Sequence, residues 1–241
     1  MTTISVITAT LNAGKFIGHL ASDLQMQTDT DFQWIVVDGG STDDTLTQFP
    51  DGLKDRITII QERDFGIYDA LNKGLRRCQS EYYLVIGADD RLYPDAIAGY
   101  RRLADASSAD IVAASVKDGD TIALPGRGKP WLRGHSAYLS HHSAGTLIRR
   151  SLHDRFGYYS HSLPIAADQL FVKRSVLGGA QLHCEPKFVA GEFSRTGVSS
   201  VQFTATLFEF TLMQLRTEKN KLLQLLIFIA RLLRHWKKVI R

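Results

Sequence analysis

Apolar residues in the first half of the chain fall into two alternating rhythms. Short β-branched or aromatic runs at residues 4–8, 34–37, 57–60, 82–86 and 111–114 have the length of buried strands. Between them lie segments with apolar positions three and four apart: from the Asn12-Ala-Gly14 loop to about Gln27, residues 67–77, and from Pro94 to about Ala104. Ser41 stands three residues before Asp44, a capping-box spacing that predicts a short helix after the second strand. Strands alternating with helices predict parallel βαβ units, a sheet flanked by helices on both faces. From about residue 119 to 145 the rhythm dissolves into Gly, Pro, His and basic residues, which predicts loops. It resumes as a short strand at 145–148, a helix over 165–177 and an apolar helix over 222–233 interrupted by Gln224 and Arg231.

Composition narrows this picture only at the far end. In 241 residues, 44% hydrophobic and 22% charged, there is no collagen-like, disordered or coiled-coil bias. The net charge of +4 is unevenly spread, because residues 219–241 hold seven Lys and Arg and no acid, leaving residues 1–218 at −3. A mildly acidic body excludes a nucleic-acid-binding surface as its main business. Cys78 and Cys184 form no C-x-x-C pair and predict two buried, reduced thiols. The first ten residues have neither a basic start nor a long apolar core, so no secretory signal is expected and a cytoplasmic protein is.

Candidate chemistry collects where strands end. In open α/β sheets ligands bind at the carboxyl ends of strands, and there stand Asp38, Asp89 and Asp90. Adjacent carboxylates repel unless a cation lies near, and a hard ion such as Mg²⁺ or Mn²⁺ would relieve Asp89 and Asp90 while bridging phosphates. A helix N-cap pair before Pro94 explains them equally well. The glycines after Asp38 permit close backbone approach, and Asp38 can accept from a nucleobase N–H or a sugar hydroxyl; a plain βα turn explains Ser41 and Asp44 but not Asp38. Neither a G-x-x-x-x-G-K-[ST] nor a G-x-G-x-x-G run occurs, which argues against P-loop and dinucleotide folds.

Four segments in order, residues 5–12 (SVITATLN), 37–45 (VDGGSTDDT), 66–74 (GIYDALNKG) and 87–90 (GADD), resemble the family 2 glycosyltransferases, in particular the branch that builds bacterial surface polysaccharides such as colanic acid. The resemblance covers roughly residues 1–200. It implies a GT-A-like, Rossmann-related, mostly parallel sheet with a nucleotide-sugar-binding half (1–115) and an acceptor half (116–200), followed by a helical tail (201–241). It further implies transfer of a sugar from a nucleotide-sugar, a UDP-sugar foremost, to a hydroxyl of a glycan or lipid-linked acceptor, with inversion. Thr8, Ala9, Thr10 and Asn12 would border the nucleoside and Asp38 would meet the base; Asp90 would hold the Mg²⁺ or Mn²⁺ ion, with Asp89 on the ribose or sharing the metal. Asp69, Asn72 and Lys73 lie in the third motif, Lys73 within reach of a diphosphate or on a solvated helix face. Asp168 matches the family's general base, which takes the acceptor proton; N-terminal charge on a helix is the plainer explanation. Gly87 stands where many members have Asp or Asn, and the Arg some carry in the third motif is absent.

Among His135, His141 and His142, the last matches a family histidine facing donor or acceptor. The spacing suits no zinc site. In the tail, Asn220, Gln224, Arg231, Arg234, Lys238 and Arg241 share one helical face, with Leu225, Phe228, Ile229, Leu232, Trp236 and Val239 away from it. Such a basic amphipathic helix suits an anionic membrane surface at the inner face of the cell membrane; packing on the catalytic domain or on a second copy is the alternative. Two rivals remain at this stage. A nucleotidyltransferase would need a Gly-rich, Arg-containing first loop, and residues 10–14 lack one; a non-catalytic scaffold would not need Asp89, Asp90 and Asp168.

Overall fold

A computed structural model describes residues 2–126, 128–140, 142–194 and 203–236. Its centre is a nine-stranded sheet. Strands β1 (Ile4–Thr10), β2 (Phe32–Asp38), β3 (Ile57–Gln61) and β4 (Tyr82–Val85) come from the first half. The two-residue β5 (Arg91–Leu92), β6 (Ile111–Asp118), β7 (Thr121–Ala123), β8 (Thr146–Arg149) and β9 (Leu182–Glu192) follow. The order is β3-β2-β1-β4-β8-β6-β9-β5, with β7 paired to β6. Neighbours among β1 to β4 run parallel, as the βαβ rhythm requires. Beyond β4 the sheet is mixed: β8 is antiparallel to both β4 and β6, β9 is parallel to β6, and β5 is antiparallel to β9. The prediction of an α/β sheet stands, with its parallel character confined to the first half and to the β6–β9 pair.

Period-two alternation distributes the strand side chains between two cores. Val6, Trp34, Leu84 and Val112 join α1 (Gly14–Gln25) and α3 (Ala96–Ser107) on one face. Ile7, Ile35, Tyr83 and Ala113 join α2 (Ile67–Arg77), a short α5 (Leu152–Phe156) and α6 (Ala167–Leu177) on the other. Helix α2 sits close because Gly74 faces the sheet, where a Cβ would come within 2.7 Å of Ile7 Cγ2. The segment predicted as loops holds β7, the one-turn α4 (Pro130–Arg133) and 3-10 turns at Gly134–Ala137 and Ser143–Gly145. His141 and Arg127 lie outside the described residues. Both cysteines are free, Cys78 buried and Cys184, against expectation, only half-buried.

The tail is a helical hairpin of α7 (Phe203–Thr217) and α8 (Lys221–Arg234). Helix α7 packs on α6 and buries Leu207, Thr211, Met213 and Gln214. Lys173, fully buried on α6, donates to Gln214 Oε1 and to Glu218 Oε1, the latter at 2.5 Å. Helix α8 turns its polar side inward: Gln224 is buried and donates to the Trp131 carbonyl at 2.9 Å, and the Arg231 guanidinium lies 4.5 Å over Phe210. Its apolar side, with Leu222, Leu225, Leu226, Ile229, Leu233 and Trp236, is exposed. Lys237, Lys238, Val239 and Arg241 fall outside the described residues. No helix among the described residues is long and apolar enough to cross a membrane.

Candidate active site

The β1–α1 and β2 loops are tied together at the carboxyl edge of the sheet. Three successive amides entering α1 are taken by the β2 loop: Asn12 N–H by Ser41 Oγ (2.8 Å), Ala13 N–H by Thr45 Oγ1 (2.8 Å) and Gly14 N–H by Asp43 Oδ2 (3.0 Å). Asn12 adopts a left-handed backbone (φ 52°), and its Oδ1 accepts from Thr42 N–H at 2.9 Å. Asp38 organises the second loop, accepting from Thr10 Oγ1 (3.1 Å), Ser41 Oγ (2.5 Å), Gly40 N–H (3.1 Å) and Ser41 N–H (2.9 Å). Its carboxylate is fully buried inside the loop it shapes, rather than projecting from it. The predicted capping box does not form, because Ser41 spends its hydroxyl on Asp38 and on Asn12; a 3-10 turn at Thr45–Thr47 follows without it.

Several predicted binding residues turn out to be internal. Thr8 is fully buried, its hydroxyl accepting from the Trp34 indole at 3.0 Å. Ala9 is half-buried against the α2 core, and Thr10 is committed to Asp38. Asn72 is also buried, pairing with both backbone groups of Tyr159 (2.9 and 3.0 Å) and pinning the loop before α6. Residues 67–77 being helical puts Asp69 and Lys73 one turn apart, where they pair at 3.3 Å. Lys73 also donates to the Arg63 carbonyl at 2.5 Å and Asp69 accepts from Phe65 N–H, so both fasten the loop that enters α2. The neighbouring acids leave the Lys73 ammonium above its usual pKa despite burial opposing it, and bonds from Phe65 N–H and Lys73 hold Asp69 below its own.

Asp89 and Asp90 follow β4. Asp90 is 4% exposed, its Oδ2 accepting from Gly87 N–H (3.1 Å) and its Oδ1 from Ser194 N–H (3.0 Å). Burial, with Asp89 alongside, pushes its carboxyl up to about 6. Asp89 is half-exposed. Gly87 is small where it must be, since a Cβ would lie 2.9 Å from Asp90 Oδ2 and 3.0 Å from Asp89 Oδ1. No group of three or more His, Cys, Asp or Glu among the described residues forms a complete metal cage. Two adjacent carboxylates, one desolvated enough to resist ionising alone, nevertheless fit a hard cation that takes its other ligands from phosphate and water. The end of β9 joins this corner to His142: Ser194 donates to Asp90, and Phe193 stacks on the His142 ring at 3.9 Å. His142 Nε2 lies 3.9 Å from Asp118 Oδ2.

A cavity of about 100 Å³ opens between α2, α6 and the 3-10 turns, lined by Tyr68, Leu71, His135, His142, Thr146 and Asp168 among others. Asp168 Oδ1 lies 2.6 Å from the Tyr68 hydroxyl and accepts from Gln169 N–H at 2.8 Å. Burial raises its carboxyl above the usual range, the Tyr68 hydroxyl opposing. Thr146 Oγ1 and Gln169 Oε1, on residues that also line the cavity, are buried without a hydrogen-bond partner among the described residues. Buried polar atoms are normally paired, so this mostly apolar cavity offers two places where a ligand's polar group could be met. Tyr68 and Phe193 are site residues that the sequence did not flag. Tyr68 lay within the third motif, whereas Phe193 carried no local signal.

Comparisons with known proteins show the family and the fold. A family model described as Glycosyl transferase family 2 matches residues 5–158. A PGL/p-HBAD biosynthesis glycosyltransferase of Mycobacterium bovis is 39% identical over 92 residues, 37% of this chain and 36% of the relative. The poly(ribitol-phosphate) β-N-acetylglucosaminyltransferase TarS of Staphylococcus aureus is 24% identical over 193 residues, 76% of this chain and 34% of the relative. The chain thus spans about a third of the length of these curated relatives. Among solved structures, TarS residues 1–349 in complex with UDP-GlcNAc superpose with a TM-score of 0.67 at 20% identity, covering 98% of this chain and 73% of that one. A mannosyltransferase of Pyrobaculum calidifontis with GDP-Man and Mn²⁺ gives 0.69 at 16%, covering 98% and 75%. At these identities the two superpositions show a shared fold.

Proposed function

Because this chain belongs to glycosyl transferase family 2, we propose that it transfers a sugar from a nucleotide-sugar, UDP-linked, to a hydroxyl of a cell-surface polysaccharide or its lipid-linked precursor, with inversion. The Asp168 carboxyl at the cavity, with Tyr68 against it, carries the proposal. The donor side is supported by the likeness to a UDP-GlcNAc complex and the acceptor class by the relatives' names.

The donor's nucleotide lies along the strand ends beside the Asn12, Asp38 and Asp89 loops. Asp38 gives the β2 loop its shape, and Asp69 with Lys73 braces the loop before α2 against the diphosphate. Asp90 and Asp89 would hold Mg²⁺ or Mn²⁺, which when bound offsets charge growing on the departing diphosphate. On the acceptor side, Thr146, Gln169 and His142 orient the incoming hydroxyl within the cavity. Asp168 accepts the hydroxyl's proton as the new C–O bond forms on the sugar face opposite the diphosphate. Tyr68 keeps the Asp168 carboxyl aimed at the cavity. The exposed apolar side of α8, flanked by Lys219, Lys221 and Arg234, lies on the anionic inner face of the cell membrane and brings the cavity to a lipid-linked acceptor; pairing of this side with a second copy is the competing outcome.

Ligands that bind only the native state raise the unfolding temperature. A panel of nucleoside diphosphates with and without Mn²⁺ should give a metal-dependent rise for one of them. No rise with any diphosphate at millimolar concentration would overturn the proposal.

A further inference from the structure

The helix that carries Asp168 begins without a cap of its own. Its N-cap residue is Ala166, followed by Ala167, so the N-cap side chain receives no amide; within the first turn Asp168 Oδ1 accepts from Gln169 N–H at 2.8 Å. Ser, Thr, Asp or Asn normally fills this position, since the first turn leaves its N–H groups unpaired. The two amides that lead into the helix find their acceptor elsewhere in the chain. Glu209 on α7 accepts from Ile165 N–H at 2.8 Å and Ala166 N–H at 2.9 Å through one oxygen, Oε2. Those amides lie two and three residues before Asp168. Ile165 also offers its carbonyl to the Tyr68 hydroxyl at 2.8 Å, the hydroxyl that meets Asp168 Oδ1. One carboxylate on the tail therefore fixes the backbone from which both the base and its tyrosine partner take their positions.

We propose that Glu209 is a positioning residue for the acceptor-side carboxylate: from α7 it caps the start of α6 and so sets where Asp168 stands in the cavity. The inference rests on the proposed role of Asp168 and adds that the tail is part of the acceptor site. Two further contacts hold α7 in register for this task. Buried Lys173 on α6 reaches Gln214 and Glu218, and Gly134 lies so close to α7 that a Cβ would meet Phe210 at 2.7 Å and Met213 at 2.9 Å. Both residues that the cap joins, Ala166 and Glu209, lie beyond the stretch matched by the family model.

The charge of Glu209 has a separate effect. Tyr68 from α2, Tyr83 from β4, Tyr159 from the loop before α6, His135 and His142 from the cavity wall, and Glu209 from α7 all face or border Asp168. Glu209 is the acid among them, and its charge adds to burial in raising the Asp168 carboxyl. Capping and charge can be separated by substitution. Glu209→Gln keeps an oxygen that accepts from both amides and removes the charge; Glu209→Ala removes both.

The test uses the full chain, with amide hydrogen exchange at Ile165 and Ala166 and titration of the Asp168 carboxyl by carbon NMR, its resonance identified by loss in Asp168→Asn. Glu209→Ala should speed exchange at the two amides about tenfold or more, the loss of about one charge-assisted bond. Glu209→Gln should keep that protection within about threefold yet lower the Asp168 midpoint, and the acidic limb of the pH–rate profile should move with it. Binding of UDP with Mn²⁺ should be unchanged in both variants. An unchanged Asp168 midpoint in both, or unchanged exchange in the alanine variant, would overturn the inference. Neither measurement requires turnover, so a failure of the proposed Asp168 chemistry would show separately, as full activity in Asp168→Asn. If Glu209→Ala does not fold, the midpoint in Glu209→Gln still decides.

Discussion

The two loops that would cradle the substrates are both closed by acceptors from another part of the chain, but from different kinds of element. On the donor side, the amides of Asn12, Ala13 and Gly14 are met by Ser41, Thr45 and Asp43, all from the adjoining βαβ unit. On the acceptor side, the amides of Ile165 and Ala166 are met by Glu209, on a helix outside the sheet. The carboxylates differ too. Among the described residues Asp90 is held by the backbone amides of Gly87 and Ser194, whereas Asp168 accepts from a side chain, Tyr68, as well as from Gln169 N–H, and shares its surroundings with Glu209. The donor-side loop is therefore closed from the neighbouring β2 loop, with Ser194 reaching Asp90 from beyond β9, and the acceptor-side loop from a helix outside the sheet.

That contrast can be broken most forcefully at Asp168. Asp168→Asn should cut sugar transfer by about 10²–10⁴-fold, the range for a lost general base, while UDP binding stays intact. An equal loss of UDP binding would merge the two cradles into one. Next comes Asp90. Its folded-state carboxyl sits at about 6, above the ordinary value of 3.8, so the native state holds a proton that the unfolded chain releases. Wild-type stability should then fall as pH rises from about 4 to 6 and level off above, by up to about 3 kcal/mol at 1.36 per pKa unit. Asp90→Asn should escape this loss, so its advantage in melting temperature should appear above pH 6 and vanish below pH 4, at the expense of metal-dependent donor binding. A difference independent of pH would contradict the burial of an ionising carboxyl. The smallest effect separates the two sides of the tail. Leu225→Ser with Ile229→Ser should lower binding to phosphatidylglycerol-containing vesicles about tenfold, since each removes exposed apolar area, and should leave the exchange of Ile165 and Ala166 unaltered. Concentration-dependent dimer loss without a vesicle effect would assign that side to a second copy.

Legibility in the sequence follows the same divide. Residues 67–77 were predicted as a helix and are one, because a strong 3.6-residue rhythm is reinforced by Gly74 packing on β1 and β2. Strands β1 to β4 were legible to within about two residues, being buried β-branched or aromatic runs. Strand β9 was not, since Glu185, Pro186 and Lys187 interrupt it and its pairing with β6 shifts register at Ser115. Asp38, Thr8 and Asn72 were recognisable as motif residues, yet motif position did not say which way their side chains turn. Thr8 faces Trp34 and Asn72 faces the Tyr159 backbone because period-two and period-3.6 phase point them inward. In the tail, the helical wheel put Gln224 and Arg231 on one side and Leu225 and Ile229 on the other, as the structure does, and left open which side meets the protein. Gln224 and Arg231 face in because the Trp131 and Leu132 carbonyls need donors. Glu209 had no signature at all, its partners being backbone amides 43 and 44 positions earlier.

The order in which the chain is made gives the Glu209 bridge a further meaning. At about 5–20 residues per second, Glu209 is synthesised roughly 2–8 s after Asp168, and only then can α7 fold back over α6. Until that moment a nascent chain carries the four motifs and Asp168, but lacks the carboxylate that meets the amides of Ile165 and Ala166. Chains released early, or clipped between α6 and α7, would hold nucleotide-sugar without passing the sugar on. With Asp168 as the base proposed above, the tail would serve as a completeness check on each copy of the chain.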